Sequence, residues 1–214
     1  MTTTEVRVGP LRLHGSLDMP EGSTRGVVLF AHGSGSSRAS PRNRFVAGKL
    51  NRHGLATLLF DLLTEDEELD RRNVFDIYLL GQRLSEALEW KATRAELADL
   101  PCGLFGASTG AAAALVTAAA HPDQVAAVVS RGGRPDLAEA ALPLVRAPTL
   151  LIVGGADHEV LELNRWAAQQ MECQHAVEVV EGATHLFEEP GALDVVATLA
   201  ANWFVQYAKE PSHA

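Results

Sequence analysis

Cysteine is scarce in this chain: Cys102 and Cys173 are the only two among 214 residues. Two cysteines cannot build a disulfide framework in a chain of this length, and their scarcity indicates a reducing compartment. Cys102 opens a predicted buried strand and is expected to be an inert thiol. Cys173 is expected to be structural as well.

Positive charge and long apolar runs are also in short supply. The formal net charge of −9 argues against nucleic acid as a main partner, because phosphate binding needs a basic face. Residues 1–5 contain neither a basic nor an apolar segment, so we expect no signal peptide. The apolar run 110–120 is too short to cross a bilayer. These features predict a cytoplasmic protein without a membrane partner, and they leave its oligomeric state open.

Predicted strands and helices alternate along a chain of ordinary globular composition, with 47% hydrophobic and 21% charged residues. This pattern predicts one α/β domain spanning 1–214, in which a mainly parallel central sheet carries helices on both faces. In such sheets function gathers at the carboxyl ends of the strands. The predicted strands are 5–8, 11–18, 26–31, 55–60, 101–105, 125–130, 149–153 and 176–180. The predicted helices are 41–52, 72–98 with a break near Gly81, 109–120, 136–142, 160–171 and 192–207.

The most informative motif is Gly106-Ala107-Ser108-Thr109-Gly110, which lies between a short apolar run and an alanine-rich helical pattern. A nucleophile elbow needs a strand, a very tight turn and then a helix. The turn leaves no room for a bulky side chain two residues before or after the serine, and both positions are glycine here. The flanks therefore favour a nucleophilic Ser108 over a chance glycine-rich turn.

A serine hydroxyl needs a base, and the base needs a carboxylate that orients it. Among eight histidines, His185 lies just past the carboxyl end of a predicted strand and follows every other predicted site residue. An ordinary loop histidine is the alternative. The other histidines that we weighed lie at the opposite sheet edge, on early elements or in the tail: His175, His121, His14, His53 and His213.

Asp157 is the predicted orienting acid, because it follows strand 149–153 through a glycine-rich turn. The order Ser108, Asp157, His185 is the serine–acid–histidine order of the α/β-hydrolase fold. Asp136 is the alternative acid and Glu159 a weaker third. Asp157 could also serve as the N-cap of the helix that follows it.

The oxyanion hole is predicted to be a pair of backbone N–H groups. Thr109 would supply one, and the loop after strand 26–31 the other, with Ser34 as first choice and Gly35 next. The same loop imitates a dinucleotide-binding unit, because a strand is followed by Gly33-x-Gly35, a helix and a second strand that ends in Asp61. The third glycine of that motif is missing, however, with Arg38 in its place, and the helix starts late.

The blocks 32–38, 106–110 and 154–157, together with the order of the three residues, resemble the α/β-hydrolase fold, nearest to its dienelactone-hydrolase-like branch. The resemblance extends from Val6 to Tyr207. Similar blocks occur in hydrolase domains fused to phosphoribosyltransferase domains. Dienelactone hydrolases use a cysteine nucleophile where this chain has Ser108, which puts the dienelactone substrate in doubt but leaves acyl transfer to water intact.

The expected activity is serine-dependent hydrolysis of small carboxylic esters or lactones without a metal or organic cofactor. Another acyl-transfer enzyme (thioesterase, peptidase or acyltransferase) and a non-catalytic ligand-binding protein remain as alternatives. The short stretch 131–148 leaves no room for a cap domain, and this predicts an open cleft for a small or exposed ester.

Charged residues near the expected site suggest two further interpretations. Arg131, with Arg38 in support, is predicted to hold an anionic substrate group; otherwise these arginines pair with acids or face water. The acidic run 65–68 is interpreted as a solvated helix start, with a substrate-repelling rim as the alternative.

Overall fold

A computed structural model describes residues 1–208, so His213 lies outside the described part. The eight strands are β1 (Thr2–Val8), β2 (Leu13–Met19), β3 (Gly26–Ala31), β4 (Leu55–Phe60), β5 (Cys102–Ala107), β6 (Val125–Arg131), β7 (Thr149–Gly154) and β8 (His175–Val180). They form one sheet in the order β1-β2-β4-β3-β5-β6-β7-β8. The first two strands make an antiparallel hairpin, β2 pairs antiparallel with β4, and the remaining pairs are parallel.

Helices cover both faces of this sheet, which confirms the predicted α/β architecture. The helices are α1 (Pro41–Arg52), α2 (Glu65–Glu68), α3 (Arg71–Val74), α4 (Ile77–Ala92), α5 (Thr109–Ala120), α6 (His158–Gln170) and α7 (Ala192–Tyr207). One core lies beneath α4 and α5, and a second lies beneath α1 and α7. None of these helices is long and apolar enough to cross a membrane.

The central strands β3, β4, β5 and β7 are buried along their whole length. This is the pattern of strands covered on both faces, which read as continuous apolar runs. Successive side chains go to opposite cores: Leu29 joins the core under α4 and α5, and Phe30 packs against Phe105 in the other, with ring centroids 4.8 Å apart.

The segment predicted as one helix with a break near Gly81 is divided elsewhere. The break falls at Phe75 and Asp76, where the Asp76 carboxylate accepts the Leu79 N–H at 3.0 Å and begins α4. Gly81 lies inside the continuous helix α4, where its carbonyl accepts the Thr117 hydroxyl of α5 at 3.0 Å. The prediction of a break at Gly81 was wrong, because this glycine serves close helix packing.

The connection from β6 to β7 holds only a 3₁₀ segment, Pro135–Leu144, that is interrupted at Glu139. The described residues therefore form no cap domain there, as expected. The short helices α2 and α3, which follow β4, instead stand at the carboxyl edge of the sheet. The acidic run forms α2 itself, with Thr64 as its N-cap, as the interpretation of a helix start predicts.

Candidate active site

Ser108 joins β5 to α5 in a backbone conformation that side-chain-bearing residues rarely adopt, with φ 51° and ψ −122°. Such strain persists only where the surrounding structure enforces it. A Cβ on Gly106 would collide with the backbone of Ala111, and one on Gly110 would collide with the carbonyl oxygen of Ala31. Both glycines are therefore required, and the elbow has the predicted strand–turn–helix geometry.

Backbone hydrogen bonds hold this turn on the neighbouring strand. The Ser108 N–H donates to the Arg131 carbonyl at 3.3 Å, and the Arg134 N–H donates to the Ser108 carbonyl at 3.1 Å. Gly33 approaches from the other side, where an added Cβ would lie 3.0 Å from the Ser108 Cβ and 3.7 Å from its Oγ. The serine hydroxyl thus lies beside the glycine-rich loop after β3.

Asp157 and His185 are joined by a hydrogen bond of 2.8 Å between Oδ2 and Nδ1. A carboxylate only accepts, so Nδ1 carries the hydrogen and Nε2 is left free to accept one. Asp157 stands at the N-cap position of α6 but makes no side-chain capping bond. Its carboxylate is therefore committed to the histidine, and only 17% of its side chain is exposed against 38% for His185.

The turn after β6 brings His185 close to the elbow. Gly132, which follows Arg131, has a φ of 51°, and an added Cβ there would lie 3.0 Å from the His185 carbonyl oxygen and 3.7 Å from its Cε1. No hydrogen bond links Ser108 Oγ to His185 within residues 1–208. Catalytic hydrogen bonds commonly tighten only when substrate is in place, so the missing bond leaves His185 as the candidate base.

Asp136, the alternative acid, is paired elsewhere. Its two carboxylate oxygens accept from the Arg134 guanidinium at 2.9 and 2.7 Å. This fork holds the carboxylate on the chain segment that follows β6. The bond to His185 belongs to Asp157 instead.

The loop after β3 is tied to the elbow through a side chain that the sequence did not single out for this role. The Ser34 N–H donates to the Thr109 hydroxyl at 3.0 Å. Within the described chain, the Thr109 backbone N–H, at the first position of α5, has no protein acceptor. The two predicted oxyanion residues are therefore adjacent, but the Ser34 N–H is already engaged.

His32 anchors the start of the same loop and was missed in the sequence. Its Nδ1 donates to the Gly33 carbonyl at 3.1 Å, and its Nε2 accepts the Leu62 N–H at 3.1 Å. Burial lowers the pKa of His32, since charging a desolvated imidazole is costly. Its place between a buried strand and a glycine-rich loop was the signal that could have identified it.

The two predicted anion-binding arginines have different surroundings. Arg38 is paired with Asp61, which accepts its backbone N–H at 2.8 Å and its Nη1 at 3.0 Å. Arg131 is only 7% exposed, and its guanidinium makes no hydrogen bond or ion pair within residues 1–208. Burial and the nearby Arg42 lower the pKa of Arg131 to about 10, so it stays charged at neutral pH.

A pocket of about 710 Å³ opens beside the loop 32–37, on the side of the short helices α2 and α3. Its size is that of ordinary small-molecule sites.

Of the cysteines, Cys102 is buried and its pKa is raised to about 12 by desolvation, which makes it an inert thiol at neutral pH. The described residues contain no cluster of three or more histidine, cysteine or acidic side chains that could hold a metal ion.

A strained serine elbow at the end of a central parallel strand, with an Asp–His pair on the loops after β7 and β8, defines the α/β-hydrolase class. The chain belongs to the α/β hydrolase domain family, whose model matches residues 24–203. A solved dienelactone hydrolase from Anabaena variabilis is 54% identical, with a TM-score of 0.92, and the match covers 97% of this chain and 98% of that one.

Two further comparisons concern a more distantly related structure and two longer relatives. The esterase domain of a Rhodothermus marinus protein has a TM-score of 0.76 at 19% identity, covering 97% of this chain and 99% of its own, and shares the fold. Two Mycobacterium tuberculosis proteins that carry the name phosphoribosyl transferase are 58% identical over 207 residues, or 97% of this chain. The chain spans only 46% of their length.

Proposed function

We propose that this protein is a serine hydrolase of small carboxylic esters or lactones, acting through an acyl-enzyme. The observation that carries the proposal is the Asp157–His185 hydrogen bond of 2.8 Å beside the strained Ser108 elbow. An oriented histidine next to a half-buried serine in such a turn is the arrangement that makes a hydroxyl nucleophilic.

In the first half-reaction, Ser108 Oγ attacks the ester carbonyl carbon while His185 Nε2 takes the hydroxyl proton. The histidinium then protonates the leaving alkoxide as the bond between carbonyl carbon and alcohol oxygen breaks. Water repeats the sequence on the acyl-enzyme, which releases the acid and restores Ser108. Asp157 keeps the imidazole in the required tautomer throughout.

The developing oxyanion would be held by the backbone N–H groups of Thr109 and Ser34. The Ser34 N–H now donates to the Thr109 hydroxyl. A negatively charged oxygen is a stronger acceptor than a neutral hydroxyl, so substrate can draw this N–H away. Before substrate binds, the Thr109 hydroxyl accepts this N–H and keeps the loop in position.

We also propose that Arg131 attracts an anionic group of the substrate, because its buried guanidinium has no acceptor in the part of the chain that the structure describes and therefore favours an anion. Arg42, the nearby like charge, pairs with Glu188 at 3.1 Å and leaves Arg131 uncompensated. Arg38, the second arginine of the sequence prediction, has a weaker claim, since Asp61 already takes up its charge.

The test is a panel of esters, lactones, thioesters and peptides, assayed with water and with added alcohol as acceptor. We expect turnover of small esters or lactones and release of the free acid. Exclusive turnover of thioesters or peptides, or transfer to the alcohol in preference to water, would assign another acyl-transfer reaction. Binding without any turnover would leave a ligand-binding protein.

A further inference from the structure

The pocket of about 710 Å³ has an apolar floor, and one of its walls is the loop 32–37. This loop runs beside the proposed nucleophile, since a Cβ added to Gly33 would lie 3.0 Å from the Ser108 Cβ. The floor and opposite wall come from the segment after β4 and the start of α4, with Leu62, Leu63, Val74, Phe75 and Leu80. These side chains offer hydrocarbon rather than hydrogen-bonding groups.

Both signs of charge stand at this pocket. Glu68 and Arg71 line it, and the Arg71 guanidinium lies 5.8 Å from the centre of the Phe75 ring. An acid and a base at one rim give no net preference for a charged ligand. The pocket also lies on the α4–α5 side of the sheet, whereas Arg131 follows the β6 residues that face α1 and α7.

The wall is made of two four-residue helices, which are too short to be stable alone. Glu67 fixes both of them. Its Oε2 accepts the Thr64 N–H at 2.9 Å in a capping box, and its carbonyl accepts the Asn73 side-chain amide at 2.9 Å. Its Oε1 accepts Nη2 of Arg83 at 2.7 Å, which ties the wall to α4.

The Glu67–Arg83 pair is more than a surface ion pair. The Arg83 side chain is 8% exposed and that of Glu67 27%, so the pair is partly shielded from solvent, mainly on the arginine side. Arg83 also donates to Glu86 at 3.2 Å, which fixes the guanidinium on its own helix. The wall is therefore held by an arginine, Arg83, whose position on α4 is fixed by a second carboxylate.

From this arrangement we propose that the pocket receives an uncharged, mainly apolar arm of the ester, alkyl or aryl, and that the Glu67–Arg83 pair positions its wall. The inference rests on the proposed hydrolase function and deepens it. It also revises the expected open cleft: the absent cap between β6 and β7 is replaced by a wall from the segment after β4.

The first experiment measures kcat/KM for two series of esters, one lengthening the acyl arm from acetyl to octanoyl and the other enlarging the alcohol of an acetate. Burial of each added methylene in the pocket should raise kcat/KM about fourfold until the pocket is full. A rise in either series supports the proposal. A flat response in both would overturn it, although acetate hydrolysis would still stand.

Val74→Trp fills the pocket from the side of α3 without touching Ser108. It should lower kcat/KM for the longest preferred arm about tenfold or more relative to its effect on kcat/KM for the acetate. Phe75→Ala, at a half-exposed position, removes part of the same wall and should weaken selectivity even if the tryptophan variant fails to fold. Equal losses on short and long arms in Phe75→Ala would contradict the pocket assignment.

Glu67→Gln isolates the positioning role, because glutamine also completes a capping box but cannot pair ionically with Arg83. We expect a severalfold higher KM for long-arm esters with little change in kcat, and a smaller effect on KM for the acetate. Asp66→Asn, one residue earlier and without a side-chain partner in the described chain, is the control. An equal effect in both variants, or a fall in kcat for every ester, would overturn the positioning role. Absence of hydrolysis in the wild type with every ester would instead mean that the proposed function has failed.

Discussion

Asp157 stands where a helix-capping residue would stand, but its carboxylate serves the candidate site instead of the helix. Asp70 and Asp76 cap their helices through their carboxylates, whereas Asp157 stands at the same position of α6 and does not. A capping bond contributes about 1 kcal/mol, and α6 forgoes it. The carboxylate is free to bind His185 instead.

Exchange of Asp157 for asparagine tests this assignment. Asp157→Asn would offer His185 the wrong hydrogen-bonding partner and should cost about 10⁴ in kcat. Asp136→Asn is the matched control, because Asp136 is paired with Arg134, and its effect should be mild. Steady-state kinetics on one small ester would compare them, and a reversed order would move the acid to Asp136.

Arg131→Ala tests the proposed anion site. The measurement is kcat/KM for an ester that bears a free carboxylate and for its neutral amide analogue. Loss of a charged hydrogen-bonding contact should weaken the anionic ester selectively, by about 1.5–3 kcal/mol. Arg38→Ala, measured in parallel, should have the smaller effect, since Asp61 holds that guanidinium. An equal fall for both esters, or none, would leave Arg131 without this role.

The strand and the helix around the elbow depend on glycines, because a side chain at those positions would collide with neighbouring backbone. The sequence already indicated these glycines, since the motif fixes their spacing. A methyl group on Gly110 would meet the Ala31 and His32 carbonyls of β3 and its following loop. Helix α5 packs against the sheet through Ala111, Ala112 and Ala113, all fully buried. The contact between α5 and β3 thus leaves no space for a larger residue.

Two glycine-to-alanine exchanges should therefore have opposite effects on the free energy of unfolding. Gly110→Ala should destabilise the protein by at least about 1–3 kcal/mol through overpacking. Gly48→Ala, inside α1, should stabilise it by about 0.5–1 kcal/mol, because the added Cβ would lie 3.9 Å from Arg52 Nη1 and meet no closer side chain. Denaturant melts would measure both, and a neutral Gly110→Ala would contradict the close contact.

The sequence predicted most elements of the sheet and the positions of Ser108, Asp157 and His185, because strand ends and motif spacing locate them without knowledge of side-chain contacts. It missed features that depend on partners far along the chain. Three such features are hydrogen bonds between separate elements: Ser34 with Thr109, His32 with Leu62, and Glu67 in the α2–α3 wall with Arg83. No local periodicity encodes such pairs.

At the scale of the whole molecule, the buried His32 links the stability of the fold to pH. Its pKa is lowered by burial, with Asp61 and Glu68 opposing the shift. Above about pH 6.5 the imidazole is neutral in both folded and unfolded chains, and this group adds no pH dependence. Below that value the unfolded chain takes up a proton that the folded one resists, so the free energy of unfolding falls as pH falls.

His32→Gln should remove this part of the pH dependence. Denaturant unfolding of wild type and variant between about pH 7 and pH 5 would give the two slopes, with the wild type losing more stability on acidification. The other histidines are common to both proteins and cancel in the difference. Parallel slopes would show that His32 is not the titrating group.

The central claim is that Ser108 is the nucleophile of a hydrolase, and covalent labelling by a fluorophosphonate tests it most directly. Intact-mass measurement and peptide mapping should find one phosphonyl adduct on Ser108, with ester hydrolysis lost in step. Ser108→Ala should take no label and lose about 10⁶ in kcat, whereas Ser85→Ala, on α4, should behave as wild type. An adduct at another residue, or a Ser108→Ala variant that keeps most of its activity, would contradict the account.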